Sequence, residues 1–326
     1  MIHSCNYRNL NLHFCTYVHL YFQRKEDNKQ NNKIKIMTEI RLKEVLAFVN
    51  HKGGVGKTTT VQSLATGLRR FGKGYFGKNA DGSSRLPRVL IIDLDPQACV
   101  SFLFGWSEMQ SADLPTVYDA IVQQGQLPVY QMREGIYLAP ASGKLIGIDP
   151  FLNQMAVPRK ALCKILSRPL KETKGSELAE EGVTHALDAF DYILIDCPPA
   201  MSLLTFNALT AASSVVLPVQ LEMLATKGIA DIIAAVSETR EDLNPYLEVR
   251  GLLMVMSNDQ TNATKQFKQY LGGKFNDYMF DAYTRRDTKM VEAQALNEDI
   301  FTYAPYSRVG LDYKQFTIEL LDSMPE

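Results

Sequence analysis

The chain is predicted to be an α/β protein, a three-layer, doubly wound fold on a mostly parallel sheet. Three observations predict it. The apolar run Val45-Leu46-Ala47-Phe48-Val49-Asn50 enters a glycine-rich turn that opens directly into a helical pattern. Two further apolar runs, 89–92 and 192–195, each end in aspartate. Between such runs the periodicity returns to helical spacing. Strands alternating with helices argue for parallel strands covered on both faces.

The elements follow in order. Residues 1–37 are rich in Asn, Lys, Tyr and His, and 23–35 is almost wholly polar. They are expected to be a disordered leader, with Met37 the expected start of translation and 38–326 a single domain. The run Phe14–Phe22 is too short and too polar to span a bilayer. It also lacks the pattern of a signal peptide. After the first strand comes His51-Lys52-Gly53-Gly54-Val55-Gly56-Lys57-Thr58-Thr59. Its right half fits the phosphate-binding loop G-x-x-x-x-G-K-[ST], with His51 in place of the first glycine. Gly53, Gly54 and Gly56 let successive N–H groups converge on phosphate oxygens, and the helix start adds its positive dipole end. Lys57 is expected on the β- and γ-phosphates and the Thr58 hydroxyl on Mg²⁺. Val61, Leu64, Ala65, Leu68 and Phe71 repeat at helical spacing, and Gly72 is expected to stop the helix. Residues 73–87, rich in glycine and serine, are expected to form an inserted, exposed loop.

The next two strands bring carboxylates. Parallel strands deliver their C-terminal ends to one edge of the sheet, where ligands bind. Val89-Leu90-Ile91-Ile92 runs into Asp93 and Asp95, and Tyr192-Ile193-Leu194-Ile195 runs into Asp196. Asp196 has the position of a Walker B carboxylate supporting Mg²⁺. Asp93 and Asp95, two apart, are expected to point the same way, one toward the metal shell and one further out.

These residues resemble the ParA/MinD group of deviant-Walker ATPases, SIMIBI-like P-loop proteins, and within it the ParA/Soj partition ATPases. The match runs through Lys52–Thr59, Asp93-Leu94-Asp95-Pro96-Gln97, Ile195-Asp196-Cys197-Pro198-Pro199, Leu217-Pro218-Val219-Gln220, Arg286–Ala293, Tyr303-Ala304-Pro305 and Asp312-Tyr313. It covers residues 43–322, nearly the whole chain after its leader. The resemblance implies a cytoplasmic, nucleoid-associated switch. ATP joins two subunits face to face, and Lys52 reaches the partner's phosphates. Lys57 and Thr58 hold phosphate and Mg²⁺, Asp95 orients the attacking water, and Asp93 and Asp196 support the metal. Hydrolysis is slow until a ParB-like centromere-binding protein stimulates it, and the ATP dimer holds DNA without sequence preference. This chain departs from the group at His51, in the 73–87 insertion, and at Gln260, where a related arginine is common.

Composition limits the alternatives. The formal net charge is −1, so a DNA site has to be a local patch. The resemblance places one at Lys265, Lys268, Arg285, Arg286 and Lys289. A second candidate is the run 159–171, whose Arg159, Lys160, Lys164, Arg168 and Lys171 flank an apolar stripe. A MinD-like membrane positioner would end in a basic amphipathic helix, but residues 315–326 are acidic. An ATP-gated scaffold with little hydrolysis is the other alternative; Lys52 and Asp95 argue against it. The five cysteines have no C-x-x-C spacing, which fits a reducing compartment and no cluster-binding electron carrier.

Overall fold

The computed structural model describes residues 44–78, 82–107, 109, 113–170, 185–220, 225–258, 275 and 278–323. The predicted leader lies outside them. Among the described residues the strands are β1 Glu44–Phe48, β2 Val89–Asp93, β3 Tyr130–Arg133, β4 Ile136–Ala139, β5 Tyr192–Asp196, β6 Ser214–Gln220, β7 Glu248–Ser257 and β8 Met279–Arg285. The helices are α1 Lys57–Phe71, α2 Cys99–Leu103, α3 Val117–Val122, α4 Asp149–Asn153, α5 Ala161–Leu166, α6 Ala186–Ala189, α7 Leu203–Ala211, α8 Ala225–Asp242, α9 Thr288–Ala295, α10 Ile300–Tyr303 and α11 Arg308–Asp322. The strands form one sheet in the order β3-β4-β2-β5-β1-β6-β7-β8. Only β3 runs antiparallel, at one edge against β4. The doubly wound, mostly parallel α/β architecture is thus present.

Strand parity shows why the sheet is covered twice. Leu46 and Phe48 of β1, Val89 and Ile91 of β2, and Tyr192 and Leu194 of β5 share one core with Val61, Leu64 and Leu68 of α1, Phe301 of α10 and Phe316 and Leu320 of α11. Their neighbours Ala47, Leu90, Ile92, Ile193 and Ile195 are just as inaccessible. Successive strand side chains point to opposite faces, so these lie under the second layer. There α7 touches β1, α5 and α8. A sheet buried on both faces explains why these strands read as unbroken apolar runs rather than alternating ones.

α1 spans the predicted helix and ends at Gly72, but for a different reason than a left-handed cap. Gly72 has φ −75° and donates its N–H to the Leu68 carbonyl. A Cβ there would lie 2.4 Å from that same oxygen and 3.0 Å from Pro87 Cδ, so space, not φ, requires the glycine. Gly67 is a second close approach, where α1 crosses α11: a Cβ would sit 2.5 Å from Thr317 Oγ1 and 3.3 Å from Phe301 Cε2. Thr317 is fully buried and bonded to the Tyr313 carbonyl, so it has little room to yield. Gly67→Val is expected to lower stability by about 1–3 kcal/mol through overpacking, read as a lower urea midpoint at unchanged m.

The predicted insertion is tied down at its base rather than loose throughout. Lys78 and Ser84 form an antiparallel bridge. Arg85 closes a two-bond fork on the buried carboxylate of Asp191 (2.7 and 2.8 Å), which also accepts the Arg88 N–H. Phe76 meets the edge of Tyr192, and the Tyr75 hydroxyl donates to Asp322 at the end of α11 (2.6 Å). Glycine and serine content could not reveal the anchors at Asp191, Tyr192 and Asp322, which lie over a hundred positions away.

Candidate functional site

Register assembles the site. Phe48 and Asp93 both pair with Asp196, so the C-terminal ends of β1, β2 and β5 meet at one point of the sheet edge. The turn after β1 curls there because Gly54 (φ 73°) and Gly56 (φ 77°) adopt the left-handed region that L side chains avoid. Asn50 staples it in place: its Nδ2 donates to the Pro218 carbonyl (2.6 Å) and its Oδ1 accepts the Lys52 N–H (2.9 Å). Gly56 is the N-cap of α1, and no side chain caps that end. The free N–H groups of the first turn therefore face the loop as an anion site.

Lys57 is 6% exposed, and its Nζ donates to the carbonyls of Asn50 and Lys52 (3.3 Å each). Burial pushes its pKa down, against the pull of Asp196, Cys197 and Asp95. His51 and Lys52 are exposed at the rim. The Thr58 hydroxyl donates to Asp196 Oδ2 (2.8 Å), and Gln294 Nε2 of α9 donates to the hydroxyl of Thr59 (3.0 Å). Asp196 is fully buried; its Oδ1 is an inaccessible oxygen with no hydrogen-bond partner. Burial and the nearby Asp93 push its pKa well above the usual carboxylate range. An unpartnered buried oxygen beside a threonine hydroxyl is the donor set a hard cation would satisfy.

Among the described residues no group of three or more His, Cys, Asp or Glu is placed to cage a metal ion. Mg²⁺ is commonly held by one or two protein oxygens, substrate phosphates and water, so Thr58 with Asp196 fits it. Asp93 is placed differently. Both its oxygens accept hydrogen bonds from its own chain: Asp95 N–H on Oδ1, and Ser101 N–H and Oγ–H on Oδ2. Burial nevertheless pushes its pKa up to about 7. β2 ends at Asp93, so Asp95 lies beyond the pleat, and the same-side alternation expected of the pair does not apply. Asp95 Oδ1 accepts the Gln97 N–H (2.9 Å) in the turn that follows. Asn50, Ser101 and Gln294 were not legible from sequence, because each acts through a contact distant in sequence or through a turn.

A family model described as an AAA domain matches residues 43–249. The chain is 32% identical over 267 residues to the sporulation initiation inhibitor protein Soj of Bacillus subtilis, covering 81% of this chain and 93% of that one. It is 31% identical over 264 residues to the chromosome partitioning protein ParA of Caulobacter vibrioides, covering 79% and 86%. The chain belongs to the ParA/Soj family of partition ATPases. A structure of cobyrinic acid a,c-diamide synthase from Mycobacterium smegmatis with bound ADP and magnesium superposes with a TM-score of 0.64 at 27% identity, covering 86% of this chain and 94% of that one.

The surface expected of a ParA/Soj protein is brought together only in part. Lys265, Lys268 and Gln260 lie outside the described residues. Arg285 is ion-paired within the domain: its guanidinium and backbone N–H bind Asp312 of α11. Pairing with a carboxylate lowers the net positive charge that this side chain adds to the surface. Arg286 and Lys289 are exposed beside the start of α9. Lys289 pairs with Glu292 (2.7 Å), whose carboxylate also accepts the Tyr303 hydroxyl. In the second candidate, Arg159 is ion-paired with Glu238 and stacked on Phe206, Arg168 donates to the Gly125 carbonyl, and Lys171 lies outside the described residues.

Proposed function

We propose that this chain is an ATP-driven partition switch that binds ATP and Mg²⁺ at the α1 N-terminus and hydrolyses ATP there. The single observation that carries this is the Thr58–Asp196 hydrogen bond beneath an uncapped helix start, with the buried Lys57 amine beside it. When bound, Mg²⁺ supplies charge neutralisation at the terminal phosphates. The chain's own residues do the rest. The N–H groups of 53–58 and Lys57 hold the phosphates, Thr58 and Asp196 offer oxygens to the metal, and Asp95 orients the attacking water. Lys52, exposed at the rim, is assigned to the phosphates of a second copy in a face-to-face ATP dimer. The names of its relatives support chromosome or plasmid partition as the task. Non-specific nucleoid DNA is then the surface the dimer holds, and a ParB-like activator triggers release.

The MinD-like alternative is disfavoured by a specific observation. The apolar side of α11, with Val309, Tyr313, Phe316, Leu320 and Leu321, is buried against the domain and is not offered to lipid.

The test separates nucleotide from DNA. In the Arg286→Glu, Lys289→Glu double variant, ATP affinity is expected to stay as in the wild type. Retention on random-sequence duplex with ATP is expected to fall, with a log–log salt slope shallower by about 0.9 for each phosphate no longer neutralised. DNA retention that ignores both the substitutions and the nucleotide would refute this surface.

A further inference from the structure

The buried end of β2 carries a hydrogen-bond relay that the phosphate loop does not use. Asp93 is wholly inaccessible. Its Oδ1 accepts the Asp95 N–H (3.0 Å), and its Oδ2 accepts both the N–H (3.0 Å) and the hydroxyl (2.6 Å) of Ser101 in α2. Ser101 Oγ in turn accepts the Ala141 N–H (3.1 Å), just beyond β4. A serine hydroxyl has one hydrogen. With Ala141 donating to the oxygen, that hydrogen goes to Asp93. The donor directions are therefore fixed: Ala141 donates to Ser101, and Ser101 and the Asp95 main chain both donate to Asp93, which ties the β4 end to the main chain of Asp95 through one carboxylate.

Asp93 and Asp196 are register partners across β2 and β5, yet their surroundings divide the work. Asp196 keeps an unpartnered oxygen beside Thr58, whereas Asp93 has both oxygens taken by its own chain. Three hydrogen bonds from its own chain engage the Asp93 carboxylate in ordering the following turn. Ser101 is likewise fully buried, so its hydroxyl has no water to fall back on.

We propose that Ser101 is a positioning residue for hydrolysis: through Asp93 it fixes the main chain of Asp95, and so the place of the Asp95 carboxylate. This rests on the proposed role of Asp95 at the attacking water. The side-chain hydrogen bonds of Ser101 go to Asp93 and Ala141 and not to the phosphate loop or the Thr58–Asp196 pair, so its loss is expected in turnover and not in nucleotide capture.

The test uses the full chain with Ser101→Ala and Ser101→Thr, the second of which keeps the hydroxyl. Steady-state ATPase rates are measured alongside amide hydrogen exchange of the nucleotide-free protein. Ser101→Ala is expected to lower kcat about 10- to 100-fold, the scale of a displaced catalytic group. KM for ATP should stay within about threefold, since ground-state binding is untouched. In the exchange experiment the amides of Asp95, Ser101 and Ala141 should lose protection without nucleotide present. Ser101→Thr should recover most of both effects. If Ser101→Ala fails to fold by circular dichroism, Ser101→Cys, which keeps the volume but donates weakly, takes its place with the same expectation. Unchanged kcat, a shift in KM alone, or an Asp95 amide as protected as in the wild type would each overturn the proposal. A wild-type chain that hydrolyses no ATP would instead overturn the proposed function, and this role for Ser101 with it, even where the exchange data keep the relay.

Discussion

Lys57→Ala is expected to abolish productive ATP binding, with an affinity loss of at least about 100-fold. The magnitude follows from the environment of the amine. A hydrogen bond to a charged group contributes about 1.5–3 kcal/mol, and each 1.4 kcal/mol is tenfold in affinity. Lys57 already accepts the cost of burial, which pushes its pKa down, and it is positioned by two carbonyls of the loop it serves. Nothing else at the loop floor can replace its charge, since Lys52 is exposed at the rim. Titration with a fluorescent ATP analogue measures the loss, and near-normal affinity would contradict the assignment of this turn as the phosphate site. Lys52→Ala provides the contrast. It should bind ATP normally and lose the turnover that depends on a second subunit, so full activity in that variant would refute a lysine acting in trans. Both lysines flank the same glycines, and their burial differs as their assigned roles require.

Much of the fold was legible because its causes are local. Gly54 and Gly56 are glycines where φ is positive, and the β1, β2 and β5 runs are apolar throughout because both faces of the sheet are covered. Ionisable residues at strand ends announced the site edge for the same reason: once strands are parallel, topology gathers their ends. What stayed hidden depends on tertiary partners. The need for glycine at 72 comes from Pro87 and a carbonyl one turn back, not from φ. Arg285 reads as free positive charge until Asp312 arrives from α11. Asp93 and Asp95 look equivalent as a pair two residues apart, and they separate only because β2 stops between them and Ser101 supplies two donors to the first. Sequence spacing thus locates charged groups well, but which of them is already satisfied is decided by tertiary neighbours it does not encode.

Asp95→Ala is the second large expected effect: ATP binding retained, hydrolysis lowered on the order of 100-fold or more, and the ATP-bound dimer accumulated. The rate estimate is that of a positioned carboxylate acting on the attacking water. The binding prediction follows from geometry, because the hydrogen bonds of Thr58 and Lys57 go to Asp196 and to two loop carbonyls, not to Asp95. Alanine removes two things at once, the carboxylate and the acceptor that holds the Gln97 N–H in the following turn. Asp95→Asn separates them, since the amide oxygen can still accept that N–H while the negative charge is gone. If the charge does the chemistry, Asp95→Asn should hydrolyse as poorly as Asp95→Ala while keeping the turn ordered in hydrogen exchange. Should Asp95→Asn turn over like the wild type, the residue would be a turn former, and the water would have to be oriented elsewhere. Sedimentation with ATP supplies the independent arm. A slow-hydrolysing variant that binds ATP and stays monomeric would break the link between nucleotide state and dimerisation on which the switch depends.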